Sequence, residues 1–176
     1  FRDTQVDEDQ RGLGLVVKGA KTRNLLLDTN LLLLYLIGGK DPKLLESARR
    51  LNAYIEEDFY LLVDFIEVNG FSQLVSTPHI LTEASNLIGL ERDLLRTLGR
   101  DAIKEYVQHC NEISHDACML VDEPEFTRLG LTDVAISLAS RLPAFVLTAD
   151  LPLYLHLSNE GVEVENFNHI RQGSWS

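Results

Sequence analysis

The sequence is poor in several residue types whose scarcity argues against whole classes of protein. It has only two cysteines, Cys110 and Cys118, and no CxxC pair, so neither a disulfide framework nor a cysteine-based zinc site is expected. The five histidines are scattered, without an HExxH pattern or a Cys/His cluster, which also argues against zinc. The apolar run from Leu31 to Ile37 is too short to cross a membrane. With no leader pattern visible, we expect a reduced, cytoplasmic protein without a membrane partner.

Positive charge is scarce as well. Lys and Arg number 16 against 27 Asp and Glu, which gives a formal net charge of −11. This balance argues against a generally basic nucleic-acid-binding surface. It leaves open a phosphate substrate bridged by a metal ion, because a bound cation reverses the local charge. A chain of 176 residues, 45% of them hydrophobic, is long enough for one domain with a sizeable core.

Short apolar segments of strand length alternate with longer segments of helical periodicity, which predicts an α/β fold with a mainly parallel sheet. We divide the chain into an N-terminal arm at residues 1–22, a single domain at 23–170 and a C-terminal tail at 171–176. The arm includes a short candidate strand at Leu15–Val17. The predicted strands are Asn24–Leu27, Phe71–Ser76, Ala144–Thr148 and Val162–Glu165. The predicted helices are Leu31–Ile37 (stopped by Gly38 and Gly39), Pro42–Ile55, Phe59–Asn69, one from Pro78, Leu90–Cys110, and Leu131–Leu142 capped by Thr132.

Two acids follow predicted strands. Asp28 comes directly after Leu27, and Asp150 comes two residues after Thr148. Binding sites in open parallel sheets lie outside the carboxyl ends of the strands, so both acids are expected at the functional edge. The alternative for either acid is a turn residue that caps the next helix.

Two further acids lie near predicted helix starts. Glu83 has Ile80 and Leu87 as helical neighbours and so flanks an apolar stripe, where a carboxylate needs a partner. The alternative is that Glu83 reaches solvent, or that its negative charge stabilises the N-terminal end of the helix. Asp133 follows Thr132, and an acid in a first helical turn commonly only stabilises the helix dipole. Together the four carboxylates would be hard oxygen ligands suited to Mg²⁺ or Mn²⁺, and a cation would relieve their mutual repulsion.

The chain resembles the PIN-domain nucleases over roughly Asn24 to Phe167. Four stretches in order are similar to the family's motifs, and Gly161–Val164 is similar to its closing strand. These four stretches are Leu26–Leu32 with Asp28, Thr77–Glu83, Gly130–Ile136 with Asp133, and Val146–Asp150. The resemblance implies a three-layer sandwich with a central twisted sheet between helices. Two departures are the long segment between Asp28 and Glu83 and the absence of an obvious fifth acid after Asp150. A fifth acidic ligand could instead come from Asp116, Asp122 or Glu123.

The resemblance implies a metal-dependent endoribonuclease that hydrolyses phosphodiester bonds in single-stranded or structured RNA. Asp28, Glu83, Asp133 and Asp150 would hold one or two Mg²⁺ or Mn²⁺ ions. Asn30 would orient Asp28 or a metal-bound water, or else cap a helix. Thr148 would position Asp150 or contact phosphate. Small domains of this family often form homodimers, and its toxin-type members bind an inhibitory protein partner, so the resemblance implies that either kind of partner is open to this chain.

Two alternatives stay open. One is a catalytically inactive PIN-like module that binds protein or RNA, which the acidic composition favours. The other is a phosphatase of the haloacid dehalogenase type, but that chemistry needs an Asp where this chain has Asn30. A stripe of basic residues on the predicted long helix could follow phosphates, although interleaved acids favour an ordinary solvated face. The stripe consists of Arg92, Arg96, Arg100 and Lys104.

Overall fold

The structure is a computed structural model that describes residues 23–174. The predicted arm at residues 1–22, with its candidate strand, lies outside the described residues. The predicted tail from residue 171 onward is different in the structure: up to Ser174 it is the end of a helix, Phe167–Ser174. Arg171 is held there by a buried carboxylate, Asp58, which keeps the chain regular past the predicted boundary.

Within residues 23–174, five parallel strands form one central sheet, which confirms the predicted parallel arrangement and adds one strand to the four predicted for the domain. Their order across the sheet is β3-β2-β1-β4-β5, so β1 is the middle strand. Leu26 of β1 pairs with Val75 on one side and Val146 on the other. The strands are β1 (Asn24–Leu27), β2 (Gln73–Ser76), β3 (Asn111–Glu112), β4 (Ala144–Thr148) and β5 (Val164–Asn166).

Helices flank this sheet, which confirms the predicted α/β class and is consistent with a three-layer sandwich. They are α1 (Thr29–Lys40), α2 (Glu56–Asn69), α3 (Pro78–Gly89), α4 (Asp93–His109), α5 (Ala117–Asp122), α6 (Phe126–Leu129), α7 (Leu131–Ala139), α8 (Leu151–Asn159) and α9 (Phe167–Ser174). Within residues 23–174, no helix has the length and apolar character needed to cross a membrane.

The segment between α1 and α2 is not the regular helix that the sequence predicts. A 3-10 helix covers Pro42–Ser47, and turns follow it. The buried side chains here recur at every third residue, which matches the three residues per turn of a 3-10 helix better than the 3.6 of an α-helix. They are Leu45, Ala48, Leu51 and Tyr54.

Other boundaries differ as well. Helix α1 continues through Gly38 and Gly39 to Lys40 instead of stopping before them. Gly130, with φ of 82°, caps α7, whereas Thr132 was the predicted cap. Thr132 instead lies inside the first turn of α7, because the backbone conformation that starts this helix needs a glycine. Sequence periodicity also missed α8, α9 and the two-residue strand β3.

The topology determines where a site can form. From β1 the chain moves outward to β2 and β3, then returns to the other side of β1 for β4 and β5. The connections after β1 and β4 therefore leave in opposite directions, which opens a crevice at the carboxyl ends of these two strands. Asp28 and Asp150 are the residues that follow β1 and β4 at this crevice.

Candidate functional site

Asp28 lies at the end of the middle strand and starts α1. Its side chain is almost completely buried, at 4% relative exposure. The Oδ1 atom accepts a hydrogen bond of 2.8 Å from the backbone N–H of Leu31, so Asp28 is also the N-cap of α1. The capping role considered in the sequence analysis is therefore present, but it uses only one of the two carboxylate oxygens.

The second oxygen of Asp28 is held by the neighbouring strand. Oδ2 accepts hydrogen bonds from the Thr148 hydroxyl at 2.5 Å and from the Ala149 N–H at 2.7 Å. Burial still raises the pKa of Asp28, although these bonds and that from Leu31 offset part of the effect, and the charge of Asp150 raises it further. Asp28 is thus a buried carboxylate fixed in orientation by three donors.

Thr148 connects Asp28 to Asp150. Its hydroxyl donates to Asp28 and accepts from the Asp150 N–H at 2.9 Å. The Asp150 carboxylate caps α8 by accepting from the Leu153 N–H at 2.8 Å. Thr148 has 0% exposure, and its hydroxyl is engaged by two protein partners, so the alternative that it contacts a substrate phosphate has no support in this geometry and stays a prediction. The other alternative, that it positions Asp150, agrees with this geometry.

Glu83 approaches the same place from α3. Its Oε2 atom accepts a 2.9 Å hydrogen bond from the hydroxyl of Thr29, the residue next to Asp28. Thr29 is itself buried at 6% exposure. The half-buried Glu83 therefore has a partner inside the protein and does not extend into solvent.

Asp133 joins the other three acids electrostatically. It lies in the first turn of α7 and has a pKa raised to about 7. Burial is the main cause, followed by the negative charges of the remaining acids, namely Asp150, Asp28 and Glu83. Each acid comes from a different segment of the chain, and together they form one cluster, which we call the acidic cluster.

The acidic cluster fits a divalent cation in donor chemistry and charge. Carboxylate oxygens are the ligands that Mg²⁺ and Mn²⁺ prefer, and a cation would offset the repulsion that raises the pKa of Asp133. Coordination geometry, however, is not formed: within residues 23–174 no three Asp, Glu, His or Cys side chains are grouped so as to hold a metal ion. The hydrogen bonds described above engage oxygens of Asp28, Glu83 and Asp150.

Asn30 does not make the contact predicted for it. Its Oδ1 atom accepts a 3.0 Å hydrogen bond from Nε of Arg50, whereas the resemblance predicts that it orients Asp28 or a metal-bound water. It is not the helix cap either, since Asp28 fills that position. Asn30 lies two residues after the cap, in the first turn of α1, and its side chain contacts Arg50 in the turns that follow the 3-10 helix.

Sequence reasoning missed three parts of this site. The Thr29 hydroxyl donates to Glu83, and the Ala149 N–H donates to Asp28. Arg50 donates to the side chain of Asn30. Thr29 stands beside Asp28 in the first motif, so its position offered a signal. Nothing in the sequence around Arg50 does, because the contact joins segments that are distant along the chain.

No protein-family model matches the chain, and no curated protein is similar enough in sequence to align with it. The resemblance to the PIN-domain nucleases therefore stays a prediction based on the four motifs.

Proposed function

We propose that the protein is a Mg²⁺- or Mn²⁺-dependent endoribonuclease of the PIN-like type, with the acidic cluster as its active site. The observation that carries the proposal is the gathering of four acids, three of them around the buried Asp28. They come from four separate segments at the carboxyl edge of a parallel sheet, where such folds bind their ligands. A purely structural role does not require four carboxylates within range of one another's charge.

The protein residues have separate tasks in this proposal. Thr148 and the Leu31 and Ala149 N–H groups keep Asp28 in one orientation, so that it is preorganised as a ligand. Thr29 does the same for Glu83. Metal ions bound here would activate a water molecule and stabilise the leaving oxygen of the phosphodiester. Release of the bond to Thr29 would free an oxygen of Glu83 as a ligand.

Asp133→Asn is the sharpest test. Asp133 has no hydrogen bond within the described part of the chain, so the amide removes a charge without breaking a contact. We expect the rate of cleavage of single-stranded RNA in Mn²⁺ to fall by at least about 100-fold, as when a group that stabilises transition-state charge is lost. The fold should be retained.

The matched control is Asp101→Asn, which removes one exposed carboxylate from α4 and should leave cleavage unchanged. Asp28→Asn is less suitable, because both oxygens of Asp28 accept hydrogen bonds and an amide nitrogen would face one of these donors. If the Asp133 variant cleaves RNA as fast as the unaltered protein, the proposed active site is wrong.

One observation favours a second candidate, a PIN-like module that binds RNA or protein without cleaving. Oxygens of Asp28, Glu83 and Asp150 accept bonds from protein donors, an arrangement that is stable without a metal ion. Calorimetric titration with Mn²⁺ separates the two candidates. Binding that the Asp133→Asn variant loses supports the nuclease, and no heat at millimolar Mn²⁺ supports the module.

A further inference from the structure

Several positive charges of the described residues are neutralised by protein carboxylates. Lys40, at the end of α1, forms an ion pair with Glu105 at 2.7 Å. Arg171 forms a two-point ion pair with the buried Asp58. In a protein with a net charge of −11, a polyanionic substrate needs a local cation that is not already paired.

Arg50 differs from these residues in its partner. Its Nε atom donates to the side-chain oxygen of Asn30, a neutral acceptor, at 3.0 Å. Within residues 23–174, no carboxylate lies within ion-pair distance of its guanidinium. The residue is exposed. Asn30 therefore fixes the position of Arg50 without cancelling its charge, and leaves the terminal NH₂ groups free to donate.

Arg50 also lies beside the acidic cluster. Its hydrogen-bond partner Asn30 is only two residues after Asp28, in the first turn of α1. The ring of Tyr54 lies close enough to respond to both charges: burial raises the pKa of Tyr54 to about 12, Asp28 adds to this, and Arg50 acts in the opposite direction. Arg50 thus lies near Asp28, one member of the acidic cluster, at the start of α1.

We propose that Arg50, held by Asn30, binds a phosphate of the RNA strand next to the bond that the acidic cluster cleaves. This inference rests on the proposed nuclease function and adds to it a specific substrate contact. The planar guanidinium can donate two parallel hydrogen bonds to phosphate oxygens, a geometry that Lys cannot reproduce. Asn30 is then a positioning residue, since it acts through Arg50.

The test measures initial rates of cleavage of a labelled single-stranded RNA in Mn²⁺ at several substrate and salt concentrations. For Arg50→Gln we expect KM to rise about tenfold, the scale of one hydrogen bond to a charged group, with kcat changed little. The slope of log(kcat/KM) against log salt should become shallower by about 0.7, the loss of one phosphate contact on a single strand. The KM of Arg50→Lys should lie between that of the unaltered protein and that of Arg50→Gln.

Asn30 provides an independent check. Asn30→Ala should also raise KM, and the Asn30→Ala/Arg50→Gln double variant should be no worse than Arg50→Gln alone, because the two residues act as a unit. Additive effects would overturn the positioning role. The matched control is Arg49→Gln, which removes the same charge one residue away; Arg49 contacts Glu91 only through its backbone N–H among the hydrogen bonds of the described chain.

The outcomes separate this inference from the proposed function. If the unaltered protein cleaves RNA and Arg50→Gln matches it, or if Arg49→Gln has an equal effect, the phosphate contact is wrong and the nuclease proposal stands. If the unaltered protein does not cleave RNA, its binding of the same RNA is measured by fluorescence anisotropy, which tests the phosphate contact without cleavage. Weaker binding by Arg50→Gln then supports the contact alone, and no binding by the unaltered protein overturns both.

Discussion

Asp133 shows how its surroundings change the chemistry of a single residue. An aspartate in a first helical turn ordinarily stabilises the helix. Here burial and three neighbouring negative charges raise its pKa from 3.8 to about 7. The folded protein therefore binds more protons than the unfolded chain between these pH values, and its stability falls as pH rises through this range. The destabilisation is complete above pH 7 and absent below pH 4.

This pKa predicts how Asp133→Asn changes stability. In EDTA at pH 8 the variant should have a higher midpoint of thermal unfolding than the unaltered protein, by about 2–4 °C for each kcal/mol of repulsion removed. The difference should shrink as pH falls and become small near pH 4, close to the unfolded pKa of 3.8, because the carboxylate is then protonated in the folded state and largely so in the unfolded chain. Scanning calorimetry from pH 4 to pH 8 measures it. A constant difference across this range would mean that Asp133 is not part of the acidic cluster.

At the scale of elements, α1 shows packing overriding local preference. Two consecutive glycines, Gly38 and Gly39, normally favour a helix end. The helix continues to Lys40 because Gly38 lies directly under the ring of Phe59 from α2. A Cβ built on Gly38 would come within 2.3 Å of that ring, whereas one on Gly39 meets nothing within 4 Å. Tertiary contact stabilises a turn of helix that local sequence does not favour.

The two glycines form a matched pair for a test. Gly38→Ala should destabilise the fold by about 1–3 kcal/mol, because Phe59 must move to make room. Gly39→Ala should stabilise it by about 0.5–1 kcal/mol, because alanine loses less backbone entropy in a helix and meets open space. Urea unfolding of both variants gives the two values. Stabilisation by both would show that α1 and α2 do not pack as described.

At the scale of the whole molecule, an ion pair with a buried carboxylate connects α9 to α2. Arg171 of α9 donates to both oxygens of Asp58, each at 2.7 Å, and also to the Ala53 carbonyl. Asp58, at the start of α2, has only 1% exposure. The Asp58 carboxylate accepts hydrogen bonds from both the Arg171 guanidinium and the Ile55 N–H. It therefore joins α9 to the start of α2, two segments that are distant in sequence, and we call this contact the junction.

Removal of one partner should be more damaging than removal of both charges. Arg171→Ala leaves Asp58 buried without a cation and should cost about 3–5 kcal/mol. The Arg171→Ala/Asp58→Asn double variant should lose less, because no charge is then buried. Arg128→Ala removes an exposed pair with Glu125 and should cost less than about 1 kcal/mol. Equal losses for Arg171→Ala and Arg128→Ala in urea unfolding would contradict a structural role for this junction.

The sequence by itself determined the α/β class and the ends of the middle strands. Leu25–Leu27 is a fully apolar run followed by an acid. Strands of parallel sheets are covered on both faces, so an apolar run of this length indicates such a strand before its neighbours are known, and all three leucines are buried in the structure. Asp28 and Asp150 could be assigned to the carboxyl edge for the same reason. Strand and helix-cap patterns depend on a few consecutive residues, so they can be recognised in the sequence without knowledge of tertiary contacts.

Only the tertiary structure decided how the side chains at that edge are used. The contacts of Thr148 with Asp28, Thr29 with Glu83 and Asn30 with Arg50 each join distant segments. The raised pKa of Asp133 comes from burial and from charges on three other segments. Such interactions depend on distances of a few ångströms set by packing of the whole core, and no local pattern encodes them.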